Sequence, residues 1–230
     1  LSPLPLSSVL IQQLIGIAVV LLWLAVVLGT ALAIRHRFPE QREWSRKVVH
    51  IGTGPVVLLA WALGIERWVA LPAAIAVTIA TSLNHRFRLL PAVEDVGRHS
   101  YGTIAYGASI AILLALFWPA QPLAVAAGVL VMAIGDGLAG LVGPQVRSPR
   151  WRLFGQGKSL AGTLVMAGGA LVVLILLQLI ARDQGLAAPA LPNLIWIGLL
   201  ATALEQLSGY GFDNLSVPLT AGLLWQYWAH

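Results

Sequence analysis

Residues Val9–Ile34 read VLIQQLIGIAVVLLWLAVVLGTALAI, without one Asp, Glu, Lys, Arg or His. At about 1.5 Å per residue a helix of this length crosses a hydrocarbon core with room for tilt. A helix that is apolar around its whole circumference belongs in a large core or in lipid, and here it is followed at once by Arg35-His36-Arg37, as a span leaving the membrane would be.

The rest of the chain agrees with lipid. Of 230 residues 58% are hydrophobic and 10% charged, with 14 Lys and Arg against 9 Asp and Glu, and the mean hydropathy is +0.84. So little polar surface cannot coat a soluble globule. The absence of cysteine excludes disulfides, thiolate metal sites and cysteine nucleophiles. A cleaved signal peptide is disfavoured, because the first apolar stretch is long and its basic residues follow it.

Further apolar runs cover about 48–63, 68–83, 103–118, 123–142, 160–181 and 193–207, and a shorter last stretch covers 215–227. Strand-type alternation and internal repeats are absent. The expectation is an all-α, polytopic membrane helix bundle of about seven to eight transmembrane helices, a single integral domain over residues 1–230. Basic residues orient it. Arg35, Arg37, Arg42, Arg46 and Lys47, then Arg86, Arg88 and Arg98, then Arg147, Arg150, Arg152 and Lys158 fall in alternate loops, and only Arg67 and Arg182 fall in the others. The positive-inside rule therefore puts these three loops in the cytoplasm and the N-terminus outside. The tryptophans near span ends, Trp118 and Trp225 among them, are expected to form an aromatic belt. The pI of about 10.2 follows from inner-leaflet loops, and no nucleic-acid partner is expected.

A few polar groups remain that topology does not explain. Asp136 lies inside the fifth run, in Met132-Ala133-Ile134-Gly135-Asp136-Gly137-Leu138-Ala139-Gly140. An ionisable group at that depth is a functional candidate, while the glycines also suit close helix packing. Helical spacing sets Asp136, Gly140 and Gly143 on one face, open to an anionic ligand or a metal. Gly155-Gln156-Gly157-Lys158-Ser159 precedes the sixth run. It is not a Walker A loop, because Arg152 stands where the first glycine would be, but glycines, a helix N-terminus, Lys158 and Ser159 can still cradle an anion. The alternative is an ordinary interface loop.

At the inner end of the second run, Arg46 and His50 share a face with Lys47 beside them, and Arg46 reads equally as a membrane anchor. Arg98, Tyr101 and Thr103 form another polar cluster, part cap and part site. Glu205 is the carboxylate within the seventh run, and Asp213-Asn214 follows it as either a helix cap or a site. Asp136, Lys158, Glu205, Asp213 and His50 come from different spans, and the topology brings all five to one face. Carboxylates for a divalent cation, a lysine beside helix amides and a basic rim are the parts needed to hold a nucleoside triphosphate at a membrane, which points to phosphoryl or nucleotidyl transfer to a lipid.

Those motifs resemble a known family. Arg46-Lys47 with His50-Ile51 and Gly54, Tyr101-Gly102-Thr103, Gly135-Asp136-Gly137, Gly157-Lys158-Ser159 with Gly162-Thr163, Glu205, and Asp213-Asn214-Leu215-Ser216-Val217-Pro218 resemble the polyprenol kinases, which act on phytol, dolichol or diacylglycerol, and the short chain looks most like the phytol kinases. The resemblance covers about 42–224, making that stretch the catalytic core and 9–34 a peripheral first span. It implies CTP, or sometimes another nucleotide, as donor and an isoprenoid alcohol drawn from the bilayer as acceptor, with phytyl phosphate feeding tocopherol synthesis and phytol salvage. The implied setting is a bacterial inner or thylakoid-type membrane with the site on its cytoplasmic face, and a homo-oligomer is allowed. The central part is also similar to CDP-diacylglycerol synthases, but their long C-terminal signature is missing.

The roles expected are Mg2+ on Asp136 with Asp213 or Glu205, and nucleotide phosphates on Lys47, Gly155, Gly157, Lys158, Ser159 and Asn214. The alcohol lies near Arg98, Tyr101 and Thr103, and Asp213, Glu205 and His50 stand unranked as the proton acceptor. The rivals are a kinase for another lipid alcohol, a cytidylyltransferase, and an ion-coupled transporter in which Asp136 and Glu205 bind protons or ions.

Overall fold

The charge-free run forms α1 (Leu6–Arg37) in the computed structural model, which describes residues 6–87 and 101–230. Its few polar side chains bind the neighbouring pass. Trp23 Nε1 donates to Gly52 O at 2.7 Å, Gln13 Nε2 donates to Gly64 O at 3.0 Å, and Gln13 Oε1 accepts from Glu66 N at 2.9 Å. With no water in the hydrocarbon, such bonds satisfy turn backbone that would otherwise be orphaned.

The second pass is broken, where one run over 48–63 was expected. Helix α2 (Arg42–Thr53) starts earlier, and α3 (Val56–Ala62) follows a turn at Gly54-Pro55, because a proline brings no N–H to continue the helix. Helix α4 (Arg67–Phe87) precedes the undescribed stretch, and Arg88, Arg98, His99 and Ser100 lie outside the described residues. Helix α5 (Gly102–Phe117) returns.

The next pass is the axis of the bundle. Every residue of α6 (Pro122–Leu130) is buried; it runs through a π-helical turn, Val131–Asp136, into α7 (Gly137–Val142). A two-stranded antiparallel hairpin follows, β1 (Arg150–Leu153) with β2 (Gln156–Ser159), Arg150 facing Ser159 and Leu153 facing Gln156. Its tip holds Phe154 and Gly155 at φ 47° and 76°, a left-handed pair of which the glycine is free of strain. This hairpin departs from the expectation of no strands. Its strands are four residues long, too short for alternation to register. Helices α8 (Leu160–Asp183), α9 (Leu191–Leu207) and α10 (Asp213–Trp228) complete the chain.

The architecture is therefore an all-α membrane bundle. Among the described residues four helices are long and apolar enough to cross a membrane, spanning Ser7–Arg37, Arg67–Phe87, Pro122–Val142 and Leu160–Asp183. Gly102–Phe117 and Leu191–Leu207 are shorter apolar helices, and α2, α3 and α10 pack with these helices. Helix α10 packs on α6 so closely that a Cβ on Gly128 would lie 2.4 Å from Pro218 O. Trp118 and Trp225 are buried in this core, a correction to the belt reading for those two; Trp118 Nε1 donates to Ile65 O at 2.8 Å.

Candidate active site

The axis pass changes its winding where the charge sits. A π turn widens the helix and exposes backbone carbonyls to side chains from outside it, and such turns cluster at functional sites. His50 Nε2 lies 3.2 Å from Met132 O, and Lys47 Nζ donates to Asp136 O at 3.1 Å. Lys47 Nζ also donates to Asp136 Oδ2 at 2.7 Å, and His50 Nε2 lies 3.5 Å from the same oxygen. Tyr106 backs the imidazole, ring centroids 4.7 Å apart.

Glycines make this approach possible. A Cβ on Gly137 would lie 2.3 Å from Cγ1 of Ile51, and one on Gly140 would lie 2.3 Å from Cε of Lys47. The groove expected to admit a ligand at Gly140 is thus filled by the lysine that reaches Asp136. Near Gly143 a Cβ would meet Ser159 Oγ at 3.0 Å.

On the opposite wall the hairpin delivers Lys158 to the end of α9. Its Nζ is ion-paired with Glu205 Oε1 and donates to Glu205 O at 2.8 Å, while Gln206 Nε2 donates to Glu205 Oε2 at 2.7 Å. Asp213, the first residue of α10, receives Asn214 Nδ2 on Oδ1 at 3.2 Å. Carboxylate oxygens of Asp136, Glu205 and Asp213 lie within 4.8 Å of one another. Charges this enclosed are stable only when paired, and Lys47 pairs with Asp136 and Lys158 with Glu205, while Asp213 is held by the Asn214 amide.

Between these walls opens a cavity of about 1400 Å3. It is lined by Lys47, His50, Asp136, Gly155, Gly157, Lys158, Ser159, Glu205, Asp213 and Asn214, all named above from the sequence. Ligand pockets are commonly about 300–1,000 Å3, so there is space for a nucleotide and the head of an acceptor together. Tyr101 and Thr103 are not among its lining residues. Tyr101 is exposed, stacks near His85 with ring centroids 5.1 Å apart, and its N–H donates to Tyr210 O at 3.1 Å, so it braces the loop at the mouth. Arg98 lies outside the described residues.

One expectation needs correcting. The amides at the start of α8 were to cradle phosphate, but Leu160 N donates to Pro149 O, Ala161 N to Ser148 Oγ and Gly162 N to Ser159 Oγ, at 3.0, 3.2 and 3.1 Å. The Ser159 hydroxyl is an N-cap, the ordinary role of serine at that position. Anion-binding capacity rests with side chains instead: the two lysines, and on the rim Arg46, Arg150 and Arg152. The reading from sequence missed Gln206, an uncharged amide beside Glu205 whose partner depends on the rotamer of its neighbour.

A phytol kinase of Synechocystis sp. is 37% identical to this chain over 211 residues, covering 91% of this chain and 90% of that protein. The chain belongs to the phytol kinase-like polyprenol kinase family. A probable phytol kinase 1, chloroplastic, of Glycine max is 30% identical over 218 residues, 84% of this chain and 72% of that protein. A probable phytol kinase 2, chloroplastic, of Oryza sativa subsp. japonica is 26% identical over 227 residues, 87% of this chain and 73% of that protein. No family model matches the chain, and no solved structure matches it. For a kinase-family member, phosphate transfer to an alcohol is the chemistry the site has to serve.

Proposed function

We propose that the chain is a CTP-dependent phytol kinase, moving the γ-phosphate of CTP to the hydroxyl of phytol to give phytyl phosphate and CDP. The observation that carries the site assignment is the meeting of three carboxylates and two lysines from separate elements at one roomy cavity. Phosphoryl transfer asks little of a protein beyond positioning and charge neutralisation, and these groups supply both. In the reaction the phytol oxygen bonds to the γ-phosphorus, the bond from that phosphorus to the β–γ bridging oxygen breaks, and the hydroxyl proton leaves to Asp213, Glu205, His50 or water.

The residues present fit Mg2+. All three acids offer hard carboxylate oxygens, Asp136 Oδ1 has no hydrogen-bond partner among the described residues, and Asp213 is bonded through Asn214. When bound, the ion neutralises the nucleotide's phosphate charge. Lys47 and Lys158, point charges on flexible stems, are within reach of the phosphates from opposite walls. Phytol enters from the bilayer with its tail along the apolar helices. The basic loops support a cytoplasmic setting for this face by the positive-inside rule, and the proposal sets it in a bacterial inner or thylakoid-type membrane, with the product serving tocopherol synthesis or phytol salvage.

The test is to incubate purified protein in detergent with Mg2+ and CTP carrying label either in the γ-phosphate or in the cytidine, with phytol, geranylgeraniol, dolichol or diacylglycerol as acceptor. Gamma label in phytol is the expected result. Cytidine label in lipid, or gamma label in another alcohol and not in phytol, would overturn the reading.

A further inference from the structure

Lys47 and Lys158 are held alike, each on the backbone carbonyl and the carboxylate of one acidic residue, Asp136 or Glu205. The two carboxylates differ in what they have left. At Asp136 the Lys47 ammonium and the His50 imidazole both lie against Oδ2, and Oδ1 carries no hydrogen bond among the described residues. At Glu205 both oxygens already carry a partner, since Oε1 takes Lys158 and Oε2 takes the Gln206 amide. Glu205 is also the more enclosed of the two, its side chain 8% exposed against 16% for Asp136.

Gln206 makes that arrangement hard to undo. Its Oε1 is buried with no partner among the described residues, so the bond from its Nε2 to Glu205 is the one that satisfies this amide. Turning Glu205 towards a cation would strip that bond and leave both ends of a buried amide unpaired, the costly case for a polar group.

We infer that Glu205 is a positioning residue, which with Gln206 fixes the Lys158 ammonium on the phosphate side of the cavity, and that the divalent cation is carried by Asp136 and Asp213 without it. This rests on the phosphotransfer reading above. It divides three acids that stand together in space into a metal pair and a strut.

The test compares Glu205→Gln, Gln206→Leu and Asp213→Asn with wild type, in detergent. Mn2+ binding is followed by electron paramagnetic resonance in the presence of a non-hydrolysable CTP analogue, and KM and kcat are measured for CTP and for phytol. Glu205→Gln is nearly isosteric, and a half-turn of the Gln206 amide gives the new group an acceptor in the now orphaned Oε1, so the variant keeps its fold. The expected result is Mn2+ affinity within about twofold of wild type and a KM for CTP raised about tenfold, as for the loss of one charge-assisted bond, with KM for phytol unchanged. Gln206→Leu should raise KM for CTP less, about threefold. Asp213→Asn should weaken Mn2+ by about tenfold or more.

If Glu205→Gln weakens Mn2+ as much as Asp213→Asn does, Glu205 is a ligand and the inference is wrong while the kinase reading stands. If Glu205→Gln alters melting temperature but neither KM nor Mn2+ binding, its role is structural and the inference is equally overturned. If wild type binds neither Mn2+ nor the analogue, the kinase reading itself fails.

Discussion

Helix α1 and the axis pass Pro122–Val142 are both apolar enough to cross a membrane, yet 67% of the most apolar window of the axis pass is buried within the protein against 11% for α1. Hydropathy measures transfer out of water and is nearly blind to whether the new neighbours are lipid tails or side chains. What separates the two passes is small residues and charge. The axis pass carries a run of glycines against which other side chains and backbone press, and one carboxylate; α1 carries two glycines, Gly16 against Ile65 and Gly29, where an added Cβ would meet nothing within 4 Å.

The comparison can be broken at several points. The largest loss of stability is expected from Lys47→Met. It leaves the enclosed Asp136 carboxylate without its ammonium partner, and removal of one partner of a buried pair costs about 3 kcal/mol. Activity should fall on the order of a hundredfold, read as kcat/KM for CTP, since an electrostatic donor at the phosphates is lost as well. Gly128→Ala should come next. Its methyl would lie 2.4 Å from the Pro218 carbonyl and 2.6 Å from a Leu113 methyl, and overpacking of this kind costs about 2 kcal/mol, visible as a lowered melting temperature in detergent. The same change on the other pass, Gly29→Ala, should be the smallest, within about 0.5 kcal/mol of wild type. Equal responses at Gly128 and Gly29 would mean that the axis pass is no better enclosed than α1.

Much of the fold was legible because lipid simplifies the code. Runs without charge gave the helices to within a few residues, and Asp136 and Glu205 stood out because a carboxylate within a span has to be explained. The parts that were not legible depend on tertiary partners. Nothing local says that Gly54-Pro55 breaks a helix and does not merely kink it, nor that Phe154-Gly155 folds a loop into a hairpin. The amides at the start of α8 looked available until Pro149, Ser148 and Ser159 were seen to occupy them. Lys47 was expected at the nucleotide phosphates, and only the groove at Gly140 shows that it reaches Asp136.

The most direct measurement is Mg2+-dependent transfer of γ-labelled phosphate from CTP to phytol by the purified wild type beside Asp136→Asn, with melting temperatures taken on both. The account predicts labelled phytol from wild type, none when Mg2+ is withheld, and a fall of about a thousandfold or more in the variant, with a melting temperature lowered less than in Lys47→Met because the amide oxygen still accepts from Lys47. Labelling by Asp136→Asn within about tenfold of wild type would contradict it.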